Sequence, residues 1–83
     1  MPTGRHGLAA DVVASHQRDR LFAATVDLVA ERGYRNASID QIVKAARVGY
    51  VAFYDLYDGK EDCFLAAFDR IVAEATEAVA AAA

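Results

Sequence analysis

The residues whose types and spacing could do chemistry lie between Ser38 and Lys60. This stretch combines hydroxyl groups, aromatic rings and a few charges, and its pattern predicts two short helices. A three-residue joint at positions 47–49 separates them, and a second turn at Asp58-Gly59 precedes another helix. Two short helices with such a joint are typical of a helix-turn-helix, whose second helix fits the major groove of DNA. The chemistry expected here is contact with bases and phosphates.

Groups that would support catalysis or metal binding do not form a pattern. The sequence shows no nucleophile beside a base, no paired carboxylates in a pocket and no phosphate-binding glycine loop, so we predict no enzyme and no cofactor. His6 and His16 lack partner ligands, which argues against a metal site. The single Cys63 excludes an internal disulfide. It could be a redox-sensitive thiol in the first turn of a helix, or a small buried hydrophobic residue beside Phe64.

Charge is unevenly distributed along the 83 residues, which suffice for one domain. The formal net charge is −3. Residues 1–60 carry eight basic and seven acidic side chains, giving +1, whereas residues 61–83 carry one basic and five acidic side chains, giving −4. The weak positive charge of residues 1–60 is therefore compatible with binding to DNA. Because no strongly basic face is visible, we expect only modest binding to random DNA.

Targeting signals are missing from the printed sequence. No apolar run is long enough to span a bilayer, and the first residues lack the apolar core of a signal peptide. We therefore predict a cytoplasmic protein without a membrane partner.

The apolar periodicity predicts an all-α fold, with three short helices in a helix-turn-helix domain and a long fourth connector helix. The first helix is expected from near Ser15, a plausible N-cap, to Arg32, with Gly33 in a left-handed conformation after it. The second begins at Ser38, where Ser38-x-x-Gln41 has the form of a capping box.

The later elements follow from the same periodicity. The third helix is expected from Tyr50 to about Tyr57, with Phe53 buried. The fourth helix follows Asp58-Gly59 and continues to Ala83, with an apolar second half that has nothing in this chain to pack on. The predicted organisation is thus an arm at 1–14, a three-helix domain at 15–58 with its helix-turn-helix motif at 38–57, and a connector helix at 59–83.

The predicted arm has two interpretations. It contains Pro2, Gly4 and Gly7 and shows no helical period, which is typical of a disordered tail. Alternatively, Arg5 and His6 could reach into the minor groove, as the arms of some helix-turn-helix proteins do.

Several exposed positions could read or hold DNA. Tyr50 and Val51 could contact thymine methyl groups, and Asp55 could accept a hydrogen bond from cytosine N4, although all three could simply face solvent. Lys44 and Arg47 flank the joint and could contact the DNA backbone.

A known family shares these features. Over roughly residues 16–72 the chain resembles the N-terminal DNA-binding domain of TetR-type (tetracycline-repressor-like) bacterial transcriptional regulators. The resemblance rests on Ala23-Ala24, Glu31-Arg32-Gly33-Tyr34, Ser38-Ile39-x-x-Ile42-Val43-x-x-Ala46 and Val48-x-x-x-x-Phe53-Tyr54-x-x-Tyr57-x-x-Lys60-Glu61.

The resemblance implies phosphate contacts from the Tyr54 hydroxyl and from Lys60. Without the resemblance, the sequence predicts that Tyr54 packs its ring on the first helix and that Lys60 is a solvent-exposed lysine. Ser38 is a helix cap first, and the helix N-terminus around it is also a ready phosphate site. Gly49 stands where the family commonly has a capping Ser at the recognition helix.

Three further departures affect the joint and the phosphate contacts. Arg47 stands where the family usually has Gly in a left-handed conformation. Ala52 replaces a Thr that contacts phosphate in many members, and Leu56 replaces a frequent His.

The resemblance also implies a function and partners. It points to a sequence-specific transcriptional regulator, expected to be a repressor that binds a palindromic operator in double-stranded DNA as a homodimer. A small-molecule inducer would bind a C-terminal domain that this chain lacks. The alternative is a small helical protein-interaction module that does not bind DNA. It would use the apolar length of the fourth helix, and it is favoured by the low positive charge.

Overall fold

A computed structural model describes the backbone of residues 2–82 and the side chains of residues 11–82. Within this range the chain forms four α-helices and a 3₁₀ turn and has no β-strand, so the predicted all-α fold is confirmed. The elements are α1 (Pro2–Arg32), the 3₁₀ turn (Tyr34–Asn36), α2 (Ile39–Ala46), α3 (Tyr50–Leu56) and α4 (Lys60–Ala82). None of the described helices combines the length and hydropathy that spanning a membrane requires.

Helix α1 begins well before the predicted position near Ser15. It starts at Pro2, so the segment predicted as an arm is helical from that residue onward. Proline is tolerated in the first turn of a helix, and an interior glycine costs about 1 kcal/mol without ending the helix. The side chains of Arg5 and His6 lie outside the described residues, and their role at the minor groove stays a prediction.

The core forms where α2, α3 and α4 pack around the middle of α1. Phe53 from α3 and Leu21 from α1 are fully buried, and Ile42 and Cys63 join them from α2 and α4. Burying side chains of this size stabilises the fold by about 1.5–3 kcal/mol each. The four helices are therefore fixed relative to one another by one shared apolar cluster.

Cys63 belongs to this core rather than to the surface. Its side chain is 2% exposed, and its Sγ lies 3.4 Å from the Thr25 hydroxyl, which hydrogen-bonds the Leu21 carbonyl at 2.7 Å. Burial raises the pKa of the Cys63 thiol, and the Thr25 contact offsets only part of that effect. A raised pKa favours the unreactive thiol, so the prediction of a small buried hydrophobic residue is the one the structure supports.

Helix α4 changes character along its length. Its first turns supply Cys63 and Ala67 to the core, and Arg70 pairs with Asp19 of α1 at 2.8 Å while stacking on Phe22 at 4.2 Å. Beyond Arg70, every described residue is exposed, including apolar side chains at positions 71, 72 and 79. The second half of α4 thus has the unpacked apolar surface that the sequence predicted.

Candidate nucleic-acid interface

The joint between α2 and α3 is a left-handed turn centred on Arg47. Its φ of 58° and ψ of 43° place it in the region that glycine normally occupies. The Arg47 N–H donates to the Lys44 carbonyl at 3.3 Å, and the Val48 N–H donates to the Val43 carbonyl at 3.1 Å. These two bonds, with Val43 and Val48 both buried in the core, form a Schellman motif. The left-handed conformation expected at Arg47 is confirmed, and it sets the direction in which α3 leaves α2.

Helix α2 begins with the predicted capping box. The Ser38 hydroxyl accepts a hydrogen bond from the Gln41 N–H, and the Ser38 N–H donates to the Gln41 side chain, both at 3.1 Å. Two backbone N–H groups of the first turn are thereby satisfied within the chain. Ser38 is exposed, so the remaining donors of this helix start stay open to a phosphate.

Helix α3 is short, and one of its side chains is fully buried. Gly49 precedes it with φ −73° and ψ 162° and offers no capping side chain, whereas the fully buried Phe53 anchors it to the core. Val51 is 79% exposed, Tyr54 is 52% exposed and Asp55 is exposed. The partner of the Tyr54 ring is Phe53 of the same helix, with centroids 5.1 Å apart, which leaves its outer edge in solvent.

Tyr50 is tied to α2 by a contact that the sequence did not predict. Its hydroxyl donates to Asp40 Oδ1 at 2.6 Å, and Lys44 Nζ lies 3.0 Å from Asp40 Oδ2. The hydrogen bonds from Tyr50 and Lys44 hold the pKa of Asp40 below its ordinary value. The bond between Tyr50 and Asp40 also raises the pKa of the Tyr50 phenol. At neutral pH this trio consists of a carboxylate, a phenol and an ammonium group.

Lys60 stands at the start of α4 and also has a partner that the sequence did not reveal. Its Nζ lies 4.3 Å from the centroid of the Tyr34 ring, which in turn packs edge-to-face on Phe64 at 4.7 Å. A cation in the first turn opposes the helix dipole, and the π-face of Tyr34 offsets part of that cost. The aromatic contact restricts where the ammonium group can point.

Comparison with known proteins identifies the family. The family described as "Bacterial regulatory proteins, tetR family" matches residues 21–67, which span the core and the α2–α3 motif. The chain belongs to this family. The transcriptional regulator AcuR of Cereibacter sphaeroides is 38% identical over 63 residues, which cover 76% of this chain but 28% of that protein. No solved structure matches the chain.

The matched segment is the N-terminal DNA-binding domain of this family, which is of the helix-turn-helix type. The chain spans 28% of the length of this relative.

Within this tetR-family domain, the predicted site residues do not form one cluster. Lys44 and Tyr50 meet on the Asp40 carboxylate, and Arg47 and Gly49 lie in the joint beside them. Val51, Tyr54 and Asp55 lie on the exposed side of α3, Ser38 caps α2, and Lys60 lies on Tyr34.

Sequence reasoning missed Asp40 and Tyr34. The spacing of Asp40 four residues before Lys44 signals an ion pair on one helix face, but nothing in the sequence signals that Tyr50 is its third member. Among the described residues no group of three or more His, Cys, Asp and Glu side chains is placed to hold a metal ion.

Proposed function

We propose that this protein is a sequence-specific transcriptional repressor that inserts α3 into the major groove of a palindromic operator. The observation that carries the proposal is the exposed side of α3, held by the buried Phe53 and aimed by the left-handed joint at Arg47. A recognition helix needs both a rigid attachment and a free face, and α3 has both.

The base-reading chemistry that α3 offers is unusual. The helix carries no Lys or Arg, so the bidentate contact to guanine is not available from it. The proposed contacts are apolar, from Tyr50 and Val51 to thymine methyl groups, and polar, from Asp55 to cytosine N4. DNA shape, read through contacts to the backbone, supplies further discrimination.

The proposed phosphate contacts surround this helix. They come from the N-terminus of α2 at Ser38 and from the side chains of Arg47, Tyr54 and Lys60. Such contacts fix the position of the protein on the duplex without reading sequence. Each phosphate neutralised by a basic side chain adds about 0.9 to the slope of log affinity against log salt concentration.

The complete protein is proposed to act as a cytoplasmic homodimer that a small-molecule inducer releases from DNA. The proposal of a larger complete protein is supported by the relative AcuR, because this chain matches 28% of the length of that protein. Support for dimerisation comes from the apolar surface on the second half of α4, which includes Ile71 and Val79. A dimer would place two copies of α3 about 34–36 Å apart, one turn of DNA. Repression rests on the resemblance to tetracycline-repressor-like regulators.

Selection of binding sites from random DNA tests this proposal. We would compare the 83-residue chain with the same chain fused after Ala83 to a parallel dimerising coiled coil. The fusion should select a palindrome with half-sites about 10–10.5 base pairs apart, with affinity that falls steeply with salt, whereas the chain alone should bind weakly. Nanomolar binding of one half-site by the chain alone would contradict the proposed need for a dimer.

A matched pair of variants controls for non-specific effects. Asp55→Ala on α3 and Asp69→Ala on α4 remove the same exposed carboxylate from two different helices. Asp55→Ala should relax the preference at one or two positions of each half-site, and Asp69→Ala should select the wild-type motif. If no sequence is enriched by the wild-type fusion, sequence-specific recognition is refuted.

A further inference from the structure

Asp40 lies in the first turn of α2, where an acidic residue near DNA phosphates is unexpected for a DNA-binding surface. We propose that Asp40 is a specificity-determining positioning residue, which turns Tyr50 into a reader of thymine methyl groups and keeps Lys44 from binding phosphate. This inference rests on the proposed function and adds a residue and a base preference to it.

The geometry uses both oxygens of the Asp40 carboxylate. Oδ1 accepts the Tyr50 hydroxyl at 2.6 Å, and Oδ2 faces Lys44 Nζ at 3.0 Å. Tyr50 is the first residue of α3, next to Gly49, which provides no capping side chain. The hydrogen bond therefore joins α2 to α3 at the end of the recognition helix that lacks a side-chain cap.

The bond to Asp40 decides which part of Tyr50 is available to DNA. Tyr50 remains 46% exposed, so its ring can still reach a base, but its hydroxyl already has a partner. A phenol whose hydroxyl is free can bond a phosphate or a base edge, and would accept several bases. With the hydroxyl occupied, the ring offers an apolar surface, and the apolar feature of the major groove is the thymine C5-methyl group.

The same carboxylate lowers the attraction of this surface for DNA in general. It neutralises Lys44, which is 75% exposed and would otherwise be free to bind a phosphate. Its own negative charge also repels the DNA backbone. Because the pKa of Asp40 is held below its ordinary value, the carboxylate stays ionised at neutral pH and this effect persists there. Asp40 thus lowers affinity for random DNA while it raises discrimination.

Three substitutions separate the two roles of Asp40. Asp40→Ala removes both contacts, Asp40→Asn keeps an acceptor for the Tyr50 hydroxyl without the charge, and Tyr50→Phe keeps the Asp40–Lys44 pair without the hydrogen bond. Asp69→Ala, which removes an exposed carboxylate from α4, serves as the control.

Binding is measured to three kinds of duplex, namely the selected operator, a scrambled duplex, and operator copies in which deoxyuridine replaces single thymines. The replacement of thymine by deoxyuridine removes only the methyl group. With the wild-type chain, one or two such replacements should weaken binding about fourfold, the effect of losing one buried methyl group. Asp40→Asn should retain this sensitivity. Asp40→Ala and Tyr50→Phe should lose most of it, because neither variant has the hydrogen bond that holds the aromatic ring at position 50 in place against α2. The two Asp40 variants should bind scrambled DNA several-fold more tightly with a salt slope steeper by about one, whereas Tyr50→Phe should not.

A measurement without DNA checks the contact itself. Titration of the Tyr50 phenol, followed by NMR of the free chain, should show a lower pKa in Asp40→Ala than in the wild type, because the hydrogen bond to the carboxylate raises it. An unchanged Tyr50 titration would overturn the inference. So would equal deoxyuridine sensitivity in wild type and Asp40→Ala when the wild type binds its operator selectively, a result that leaves the proposed function intact. If Asp40→Ala fails to fold, the comparison of Tyr50→Phe with wild type decides the same question. Wild-type binding with neither sequence preference nor salt dependence would instead refute the proposed function.

Discussion

Replacing Arg47 by glycine should stabilise the domain, although it removes a side chain. Arg47 has a φ of 58°, and an L-residue in this region costs roughly 1–2 kcal/mol because its Cβ crowds the following carbonyl oxygen. Arg47→Gly relieves that cost but gives the unfolded chain more freedom, which offsets roughly 0.5–1 kcal/mol. The net gain in free energy of unfolding is about 0.5–1 kcal/mol, and the melting temperature should rise by a few degrees.

The magnitude depends on the joint being a Schellman motif rather than an ordinary loop. Both of its hydrogen bonds are donated by backbone N–H groups, those of Arg47 and Val48, so glycine can form them equally well. The Arg47 side chain is exposed, and its removal alone should change stability by less than about 0.5 kcal/mol. Arg47→Ala, which keeps a Cβ at the strained position, isolates that contribution.

Urea unfolding followed by far-UV circular dichroism measures the effect. The matched control is Ala45→Gly, which introduces the same residue at an exposed helical position of α2. It should lower the free energy of unfolding by about 1 kcal/mol. Opposite signs for Arg47→Gly and Ala45→Gly support the reasoning. Equal losses of stability in both variants would show that position 47 carries no strain in solution.

Four further outcomes are expected. Lys60→Ala and Tyr54→Phe should weaken binding to operator and scrambled duplexes equally, with a salt slope lower by about one for Lys60→Ala, and a shifted sequence preference would contradict phosphate contact. Cys63 should react with a thiol reagent only as fast as the chain unfolds, because it is buried and its pKa is raised, so fast labelling of the folded chain would contradict its place in the core. Because the pKa of Cys63 is higher in the folded chain than in the unfolded chain, the stabilising contribution of its neutral thiol is complete below about pH 8.5 and is lost at higher pH. The urea midpoint of the wild type should therefore fall more steeply than that of Cys63→Ala between about pH 8 and 10. Phe53→Ala should lower the free energy of unfolding by about 3–5 kcal/mol, because the ring is fully buried. A cooperative urea transition that stays near the wild-type midpoint would refute the anchoring role of Phe53.

The parts of the fold that depend on near neighbours could be predicted from the sequence. The capping box of α2 needs only Ser38 and Gln41, three residues apart. The burial of Phe53 follows from helical periodicity, and the left-handed conformation at position 47 is what the resemblance to TetR-type regulators implies. Each of these features is decided within about one helical turn of chain.

The errors and omissions have a different origin. The observed start of α1 at Pro2 differs from the predicted start near Ser15, because proline is compatible with the first turn of a helix. The contacts of Asp40 with Tyr50 and of Lys60 with Tyr34 join residues 10 and 26 positions apart. Such contacts depend on side-chain rotamers and on how the helices pack, and no local propensity encodes them. The sequence therefore predicts the candidate site as a set of exposed positions, but it does not predict the contacts between their side chains.

The anchoring of α3 by side chains that lie away from its exposed face has a consequence for how such a regulator changes over evolution. A seven-residue helix without a side-chain cap has little stability of its own, so its conformation depends on Phe53 and on the fixed joint. Val51, Tyr54 and Asp55 contribute little to that conformation, because their side chains are exposed. Substitutions at these three positions can therefore accumulate at small cost to folding, and a duplicated copy could acquire a new operator without passing through an unfolded intermediate. Tyr50 is the exception, since its exchange also releases Asp40 and Lys44, and we expect drift in operator preference to begin at Val51 and Asp55, the other two positions proposed to contact bases.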